Sequence, residues 1–368
     1  MGRRRDKHKY EVTEAMIRKY WDRLEAGDVW KERHGKSAVL SDNKMTCIKD
    51  SYKSSIWKLT LISENKPVVL ILKVHKPLRR KRPESTVEKN IYRRARKVMQ
   101  PFMPYIYASK RNVLHHGDLW TVMEYVQPVE GQLVYTPKHF ASILPMLARM
   151  HAATYGNRLA PHVAKFGDWM PRYDSAAMRE QREQTRRDTL HYLREAMKKP
   201  NVKQIVAPYE RMLRHLLEKG PDYCPEVTRR GLSVIHGDLH TANMASNHIG
   251  KADWQLKLID WEGAKIAPCW YDVVYLIGVF LAYRREWKNE EEQITKSAVQ
   301  LYAQEMEKHG VVFHRPPLVL YRMAYLQRVL ERGIYLQLSW AVTGKKDAKL
   351  LAVYLEKIRV LSKLLKLY

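Results

Sequence analysis

Strand-like runs fill residues 52–62 and 68–74, separated by Ser63-Glu64-Asn65-Lys66-Pro67, a turn by composition. Ahead of them Met16, Ile17, Tyr20, Trp21 and Leu24 recur at helical spacing. That predicts one amphipathic helix, capped by Thr13 and stopped by Gly27. Behind them Val87, Ile91, Tyr92, Ala95, Val98 and Met99 fall on one helical face, opened by Ser85-Thr86-Val87-Glu88. Residues 120–126 read as a further strand, ended by Gln127-Pro128. From there the period is helical. Phe140, Ile143, Leu144, Leu147 and His151 share a face, and residues 178–199 form a charge-laced helix whose Thr185, Arg186, Arg187 and Asp188 suit a solvated side.

The later part of the chain breaks this helical rhythm once. Val234-Ile235 leads into a loop, and Leu256-Lys257-Leu258-Ile259 is a short buried strand by its alternation. The apolar run 273–282 is a buried helix, ten residues long and too short for a bilayer. Three more helical stretches follow, punctuated by Glu290-Glu291-Glu292, Lys308-His309-Gly310 and Thr343-Gly344-Lys345. Their Tyr321, Tyr325, Leu326, Val329, Tyr335, Trp340 and Tyr354 are expected in the core, which outweighs an aromatic box for a quaternary ammonium.

Composition narrows the class. A chain of 368 residues with 45% hydrophobic positions supports two cores. Residues 1–9 are polar and basic with no apolar segment behind them, so no signal peptide is expected, and a cytoplasmic location is. Cys47, Cys224 and Cys269 lie far apart without metal-ligand spacing and are expected as reduced thiols. The net charge of +27 bunches at Met1-Gly2-Arg3-Arg4-Arg5 and Arg79-Arg80-Lys81-Arg82, without the aromatic interleaving of RNA binders. A solvated basic surface is expected, and nucleic acid is not.

The chemistry concentrates between residues 234 and 272. Val234-Ile235 precedes His236-Gly237-Asp238, Asn243 stands five residues past the Asp, and Asp260 ends the next short strand. Mg²⁺ keeps most of its waters beside nucleotide phosphates, so one amide and one carboxylate suffice to hold it while a separate Asp meets an acceptor hydroxyl. Specificity can be judged inside the chain itself. His116-Gly117-Asp118 repeats the tripeptide, but Met123 stands where the Asn should, and residues 113–114 and 120–122 flank it like a hairpin.

The full pattern, His236-Gly237-Asp238 with Asn243 and Ile259-Asp260-Trp261-Glu262, resembles the aminoglycoside phosphotransferase and choline kinase group of small-molecule kinases. The resemblance covers roughly residues 52–283. It implies an α+β, bilobal, protein-kinase-like fold: an N-terminal lobe over 1–127 with a small antiparallel sheet, and a mostly helical lobe over 128–368. It implies ATP and Mg²⁺ as cofactors and a small-molecule hydroxyl as acceptor. Asp238 would be the catalytic residue, and Asn243 and Asp260 the metal ligands. Lys73, in Val68-Val69-Leu70-Ile71-Leu72-Lys73-Val74, would reach the phosphates, paired with Glu88; Glu88 also fits a capping box with Ser85. Main-chain groups of Glu124 and Val126 would meet the adenine edge. His236 and Asp272 would support the catalytic loop, and His151 would be packed.

Two points depart from this pattern or stay open. Asp50-Ser51-Tyr52-Lys53-Ser54-Ser55, where phosphates would be covered, has no glycine, which leaves a catalytically silent binding protein as the alternative. The acceptor is open among aminoglycosides, choline, ethanolamine, thiamine and similar hydroxyl compounds, as is the oligomeric state. If the acceptor is cationic, Glu262 is the acidic residue expected to attract it.

Overall fold

The computed structural model describes residues 10–77, 84–167, 169–251 and 254–368, the side chains of residues 84, 85 and 163 excepted. The two basic runs singled out above, residues 1–5 and 79–82, lie outside them. The chain forms two compact units, Met1–Gln132 with Thr241–Glu262, and Leu133–His240 with Gly263–Tyr368.

The first unit is built on an antiparallel sheet. Its strands are β1 (Val39–Leu40), β2 (Thr46–Asp50), β3 (Ser54–Ser63), β4 (Lys66–His75), β5 (Ile106–Arg111) and β6 (Leu119–Glu124). The order is β1-β3-β4-β6-β5, with β2 also pairing β3. The expected hairpin turns at Glu64 and Asn65, both left-handed at φ 48° and 61°, the twist that suits a two-residue turn. Along β3 alternate residues are buried, so Trp57, Leu59 and Leu61 join Leu70, Leu72 and Val74 of β4 in one core.

Helices cover that core differently from expectation. Thr13 does cap the first helix, α1 (Glu14–Tyr20), its hydroxyl accepting from Met16 N–H. The helix then breaks. A 3₁₀ turn over Asp22–Leu24 and a left-handed Glu25 separate it from α2 (Ala26–His34), which contains Gly27 and is stopped instead by Gly35 at φ 68°. The break lets Trp21 and Trp30 enter the same cluster, which one straight helix over this span would not favour. The helix after β4, α3 (Glu84–Arg93), is likewise shorter than the apolar face suggested, and Arg96–Met99 forms a separate turn.

The second His-Gly-Asp is structural. Asp118 is buried, and its carboxylate accepts from the N–H groups of Val113, Leu114 and His115, from Trp120 Nε1 and from the Tyr10 hydroxyl. Because Asp118 takes their amides, Val113 and Leu114 bend away from the ladder, and β5 ends at Arg111.

The segment that returns to this unit contributes β8 (Met244–Ala245) and β9 (Lys257–Leu258), a small antiparallel ribbon. It is tied to the residues after β6: Gln127 N–H donates to Asn247 Oδ1, Asn247 Nδ2 to Tyr125 C=O, Ser246 N–H to Gln127 C=O, and Val129 N–H to Met244 C=O.

The second unit is mostly helical. The two-stranded ribbon of β7 (Leu232–Ile235) and β10 (Lys265–Pro268) runs beside α4 (Phe140–Thr154) and α5 (Trp270–Tyr283). Leu213, Leu216, Leu217, Leu326, Leu330, Ile334, Leu338 and Leu355 centre its large core, with Tyr325 and Tyr354 packed against them. Tyr321, Leu326 and Val329 are buried as their spacing suggested, whereas Tyr335 and Trp340 are only partly buried, Trp340 with the Lys346 ammonium 5.2 Å from its ring centre. Among the described residues no helix is long and apolar enough to cross a membrane.

Asp118→Ala should cost ~2–4 kcal/mol, because it strands several buried donors at once. Thermal or urea unfolding reads this; a change under about 0.5 kcal/mol would contradict the structural role given to Asp118.

Candidate active site

In the first unit β4 carries Lys73 on the face opposite Leu72 and Val74, where its ammonium donates to both Glu88 oxygens at 2.6 and 2.7 Å. Glu88 is fully buried on α3, and the Tyr92 hydroxyl one turn later donates to it at 2.6 Å. Burial alone would lower the Lys73 pKa, but Glu88 and then Asp260 outweigh it and hold it above its usual value. The ion-pair reading of Glu88 therefore prevails over the capping box. Ser85 stands inside α3, and its side chain lies outside the described residues.

His75, two residues past Lys73, has Nε2 3.3 Å from Glu88. Burial, then the Lys73 and Lys89 charges, push its pKa well below the usual 6.5, so it stays neutral. The Lys73–Glu88 pair is thus not diluted by a second cation.

Asp260 follows β9 in a left-handed conformation at φ 62°. A non-glycine residue there is uncommon and marks a backbone held for a purpose. Its carboxylate lies 3.7 Å from Lys73 Nζ and is about half exposed. The ribbon register Met244↔Leu258 brings the flanking residues together, and Ile259 N–H donates to Asn243 C=O. Glu88, Asp260 and Glu262 each offer an oxygen within 4.8 Å of the others. Glu88 is already spent on Lys73 and Tyr92. Asp260 is a hard oxygen donor open to solvent, and Glu262 is partly exposed with one oxygen taken by a lysine, a set that fits Mg²⁺.

Glu262 has a partner that the sequence did not suggest. Lys53 donates to it at 2.8 Å. Lys53 sits in the glycine-free turn between β2 and β3, which Ser51 holds: its hydroxyl accepts from the Lys53 and Ser54 amides and donates to Ser54 C=O. Ser51 thus shapes the turn where a glycine is absent. At the end of β6, Val126 N–H has no partner among the described residues, while Tyr125 C=O and both main-chain groups of Gln127 are bonded.

In the second unit the His236-Gly237-Asp238 loop is held from below. Asp272, fully buried in the first turn of α5, accepts from His236 N–H at 2.7 Å and Gly237 N–H at 2.8 Å. His151 Nε2 lies 3.2 Å from the same carboxylate, and its Nδ1 lies 2.8 Å from the Tyr302 hydroxyl. Since the carboxylate only accepts, Nε2 carries the hydrogen and Nδ1 accepts from Tyr302. Burial would raise the Asp272 pKa; the His151 bond, the His151 and His236 rings and the Gly237 amide together bring it below the usual value.

Gly237 is required by space as well as conformation. Its φ is 81°, and an added Cβ would sit 2.1 Å from Gly263 C=O. The chain returns so close because β10 pairs β7, Lys265 opposite Ile235. Asp238 itself is half-exposed, 3.7 Å from His240 Nε2, and accepts from the Tyr275 hydroxyl. Tyr275 and Tyr302 were invisible in sequence. Each sits in a helical pattern where a tyrosine reads as packing.

The model for a phosphotransferase enzyme family matches residues 61–307, more than half of the chain. No curated protein sequence matches significantly. Among solved structures, the chain is similar to a putative aminoglycoside phosphotransferase from Ralstonia eutropha at 14% identity and TM-score 0.54, covering 92% of this chain and 98% of that one. It is also similar to a choline kinase from Cryptosporidium parvum at 13% identity and TM-score 0.51, covering 88% and 90%. A third is the GDP complex of an aminoglycoside 2'-phosphotransferase-IIIa, at 13% identity and TM-score 0.50, covering 94% and 98%. These likenesses establish the kinase-like fold.

A buried neutral His75 favours the folded state above its unfolded pKa of about 6.5, and that contribution is lost as pH falls toward its lowered folded pKa. Melting temperature should therefore drop below pH ~6.5, and His75→Gln should flatten that limb. An unchanged acid limb in the variant would contradict a neutral buried His75.

Proposed function

The chain belongs to the phosphotransferase enzyme family, and on that footing we propose that it moves the γ-phosphoryl group of ATP, with Mg²⁺, to a hydroxyl of a small molecule. The observation that carries this reading is the Lys73–Glu88 pair with Asp260 beside it: a buried cation aligned on a sheet, next to a solvent-open carboxylate. Such a pair positions nucleotide phosphates next to a metal-binding carboxylate. A silent binding protein would need none of these groups kept in register.

In this reading the first unit takes the nucleotide and the second presents Asp238 to the acceptor. The Val126 N–H, unbonded among the described residues, would with Glu124 C=O bond the adenine edge. Lys73 would hold the α- and β-phosphates. Asn243 and Asp260, with Glu262 near them, would hold Mg²⁺, which supplies positive charge to the β- and γ-phosphates.

Asp238 accepts the proton of the acceptor hydroxyl or aligns it. The hydroxyl oxygen bonds to the γ-phosphorus as the bond to the β-bridging oxygen breaks; ADP leaves, and the proton passes from Asp238 to solvent. A loose transition state asks mainly for alignment and charge stabilisation. Asp272 provides the alignment by fixing the two amides just before Asp238.

Asp238→Ala should lower phosphotransfer by ~10³-fold or more while leaving the melting temperature and nucleotide binding intact. Ordinary turnover in that variant would remove Asp238 from the chemistry. Asp260→Ala should abolish the extra melting shift that Mg²⁺ adds to millimolar ATP, and a retained shift would exclude Asp260 as a metal ligand.

A further inference from the structure

The turn between β2 and β3 closes its main chain on itself. The Lys53 and Ser54 amides donate to Ser51 Oγ, and the Ser51 amide and hydroxyl both donate to Ser54 C=O at 2.9 Å. Three amides and a hydroxyl that could cradle a phosphate, as the amides of a glycine-rich turn do, are thereby turned inward. What remains is side chains, and Lys53 is the one cation among residues 50–55.

The backbone under Lys53 is fixed from outside the turn as well. Its C=O accepts from Lys76 N–H at 2.8 Å, and the buried Lys76 ammonium donates to Asp50 Oδ1 at 2.6 Å. One residue of β4's end thus holds both sides of the turn. The freedom that is left lies in the four-carbon side chain of Lys53.

That side chain reaches the carboxylates beside Lys73. Its ammonium donates to Glu262 at 2.8 Å, and Glu262, Asp260 and Glu88 have oxygens within 4.8 Å of one another. Lys73 meets the same group from β4, 2.6 Å from Glu88 and 3.7 Å from Asp260. The Glu262 bond raises the Lys53 pKa against partial burial, and Asp260 adds to it, so the side chain stays charged.

The two lysines differ in how firmly they are held. Lys73 is buried and bonds both oxygens of a carboxylate that Tyr92 also anchors. Lys53 and Glu262 are each about a third exposed and share one bond. Pairs of that kind are weak and exchange readily. A triphosphate offers the ammonium a stronger acceptor than one half-solvated carboxylate, and Mg²⁺ draws the Glu262 oxygen away from it.

Within the phosphotransfer reading, on which this rests, we infer that Lys53 is a phosphate-binding residue: Glu262 holds its ammonium while the nucleotide is away, and the β- or γ-phosphate takes it over when ATP and Mg²⁺ enter. The side chain does for this turn what main-chain amides do in a glycine-rich one.

The test is titration calorimetry on the whole protein with ATP, ADP and AMP in the presence of Mg²⁺. Lys53→Met should weaken ATP by ~10–100-fold, as expected for one charge-assisted hydrogen bond, and leave AMP, which ends at the α-phosphate, within about twofold. Lys53→Arg should restore most of the ATP affinity. Lys36→Met removes the cation of another exposed pair, with Glu64 at the far end of the β3–β4 hairpin, and should change neither nucleotide; it reads the loss of net charge alone. Lys53→Gln serves in place of Lys53→Met if the latter fails to fold. Unchanged ATP affinity in the folded Lys53 variant, ATP and AMP weakened alike, or an equal loss in Lys36→Met would overturn the assignment while the phosphotransfer reading stands. A wild-type protein that binds no ATP with Mg²⁺ would remove that reading, and the role of Lys53 with it.

Discussion

The buried Asp272 carboxylate is the constraint on which the second unit's chemistry rests. A charge without solvent survives only when its oxygens are filled, and here two main-chain amides and the His151 ring fill them. The amides belong to His236 and Gly237, so satisfying Asp272 also fixes the direction in which the chain enters Asp238. Other contacts reinforce that clamp. Tyr302 holds His151, and Ser233 and Thr154 bond each other, the His151 carbonyl and the Val234 amide, locking β7 onto α4. Gly237 completes it, because only a residue without Cβ fits against Gly263.

The first unit solves a comparable problem with opposite charge. Lys73 is buried between the sheet and α3, where a lone ammonium would lose its proton or its burial. Glu88 and Tyr92 prevent that, while neutral His75 adds no competing charge. The two units thus share a design: one buried charge, saturated by groups from another element, which makes a neighbouring exposed carboxylate geometrically definite. Asp260 is that neighbour in the first unit and Asp238 in the second.

Much of this was legible because the informative residues are polar where the pattern predicts apolar ones. Lys73 interrupts a β-branched run, Asp272 precedes an apolar helix, and Asn243 and Asp260 stand at strand ends. The duplicate His116-Gly117-Asp118 was separable for the same reason, since it lacked the later Asn. Where sequence failed, the missing information was three-dimensional. The break at Glu25 comes from packing two tryptophans into one cluster, which no helical period encodes. Lys53 meeting Glu262, Tyr275 meeting Asp238, and Arg328 covering two tyrosines each join residues far apart in the chain or disguised as core. The glycine-free turn looked like a defect from composition; in the structure Ser51 supplies the tight geometry that glycine would otherwise give.

Phosphoryl transfer from a nucleotide to an alcohol is the activity proposed for this protein. The most direct measurement follows ATP, Mg²⁺ and a panel of neutral, anionic and cationic alcohols by ³¹P NMR with the wild-type protein. Phosphotransfer should give a new phosphomonoester resonance that grows in step with ADP and fails to form when Mg²⁺ is chelated. ADP accompanied only by inorganic phosphate, or no turnover with any alcohol despite nucleotide binding, would contradict it.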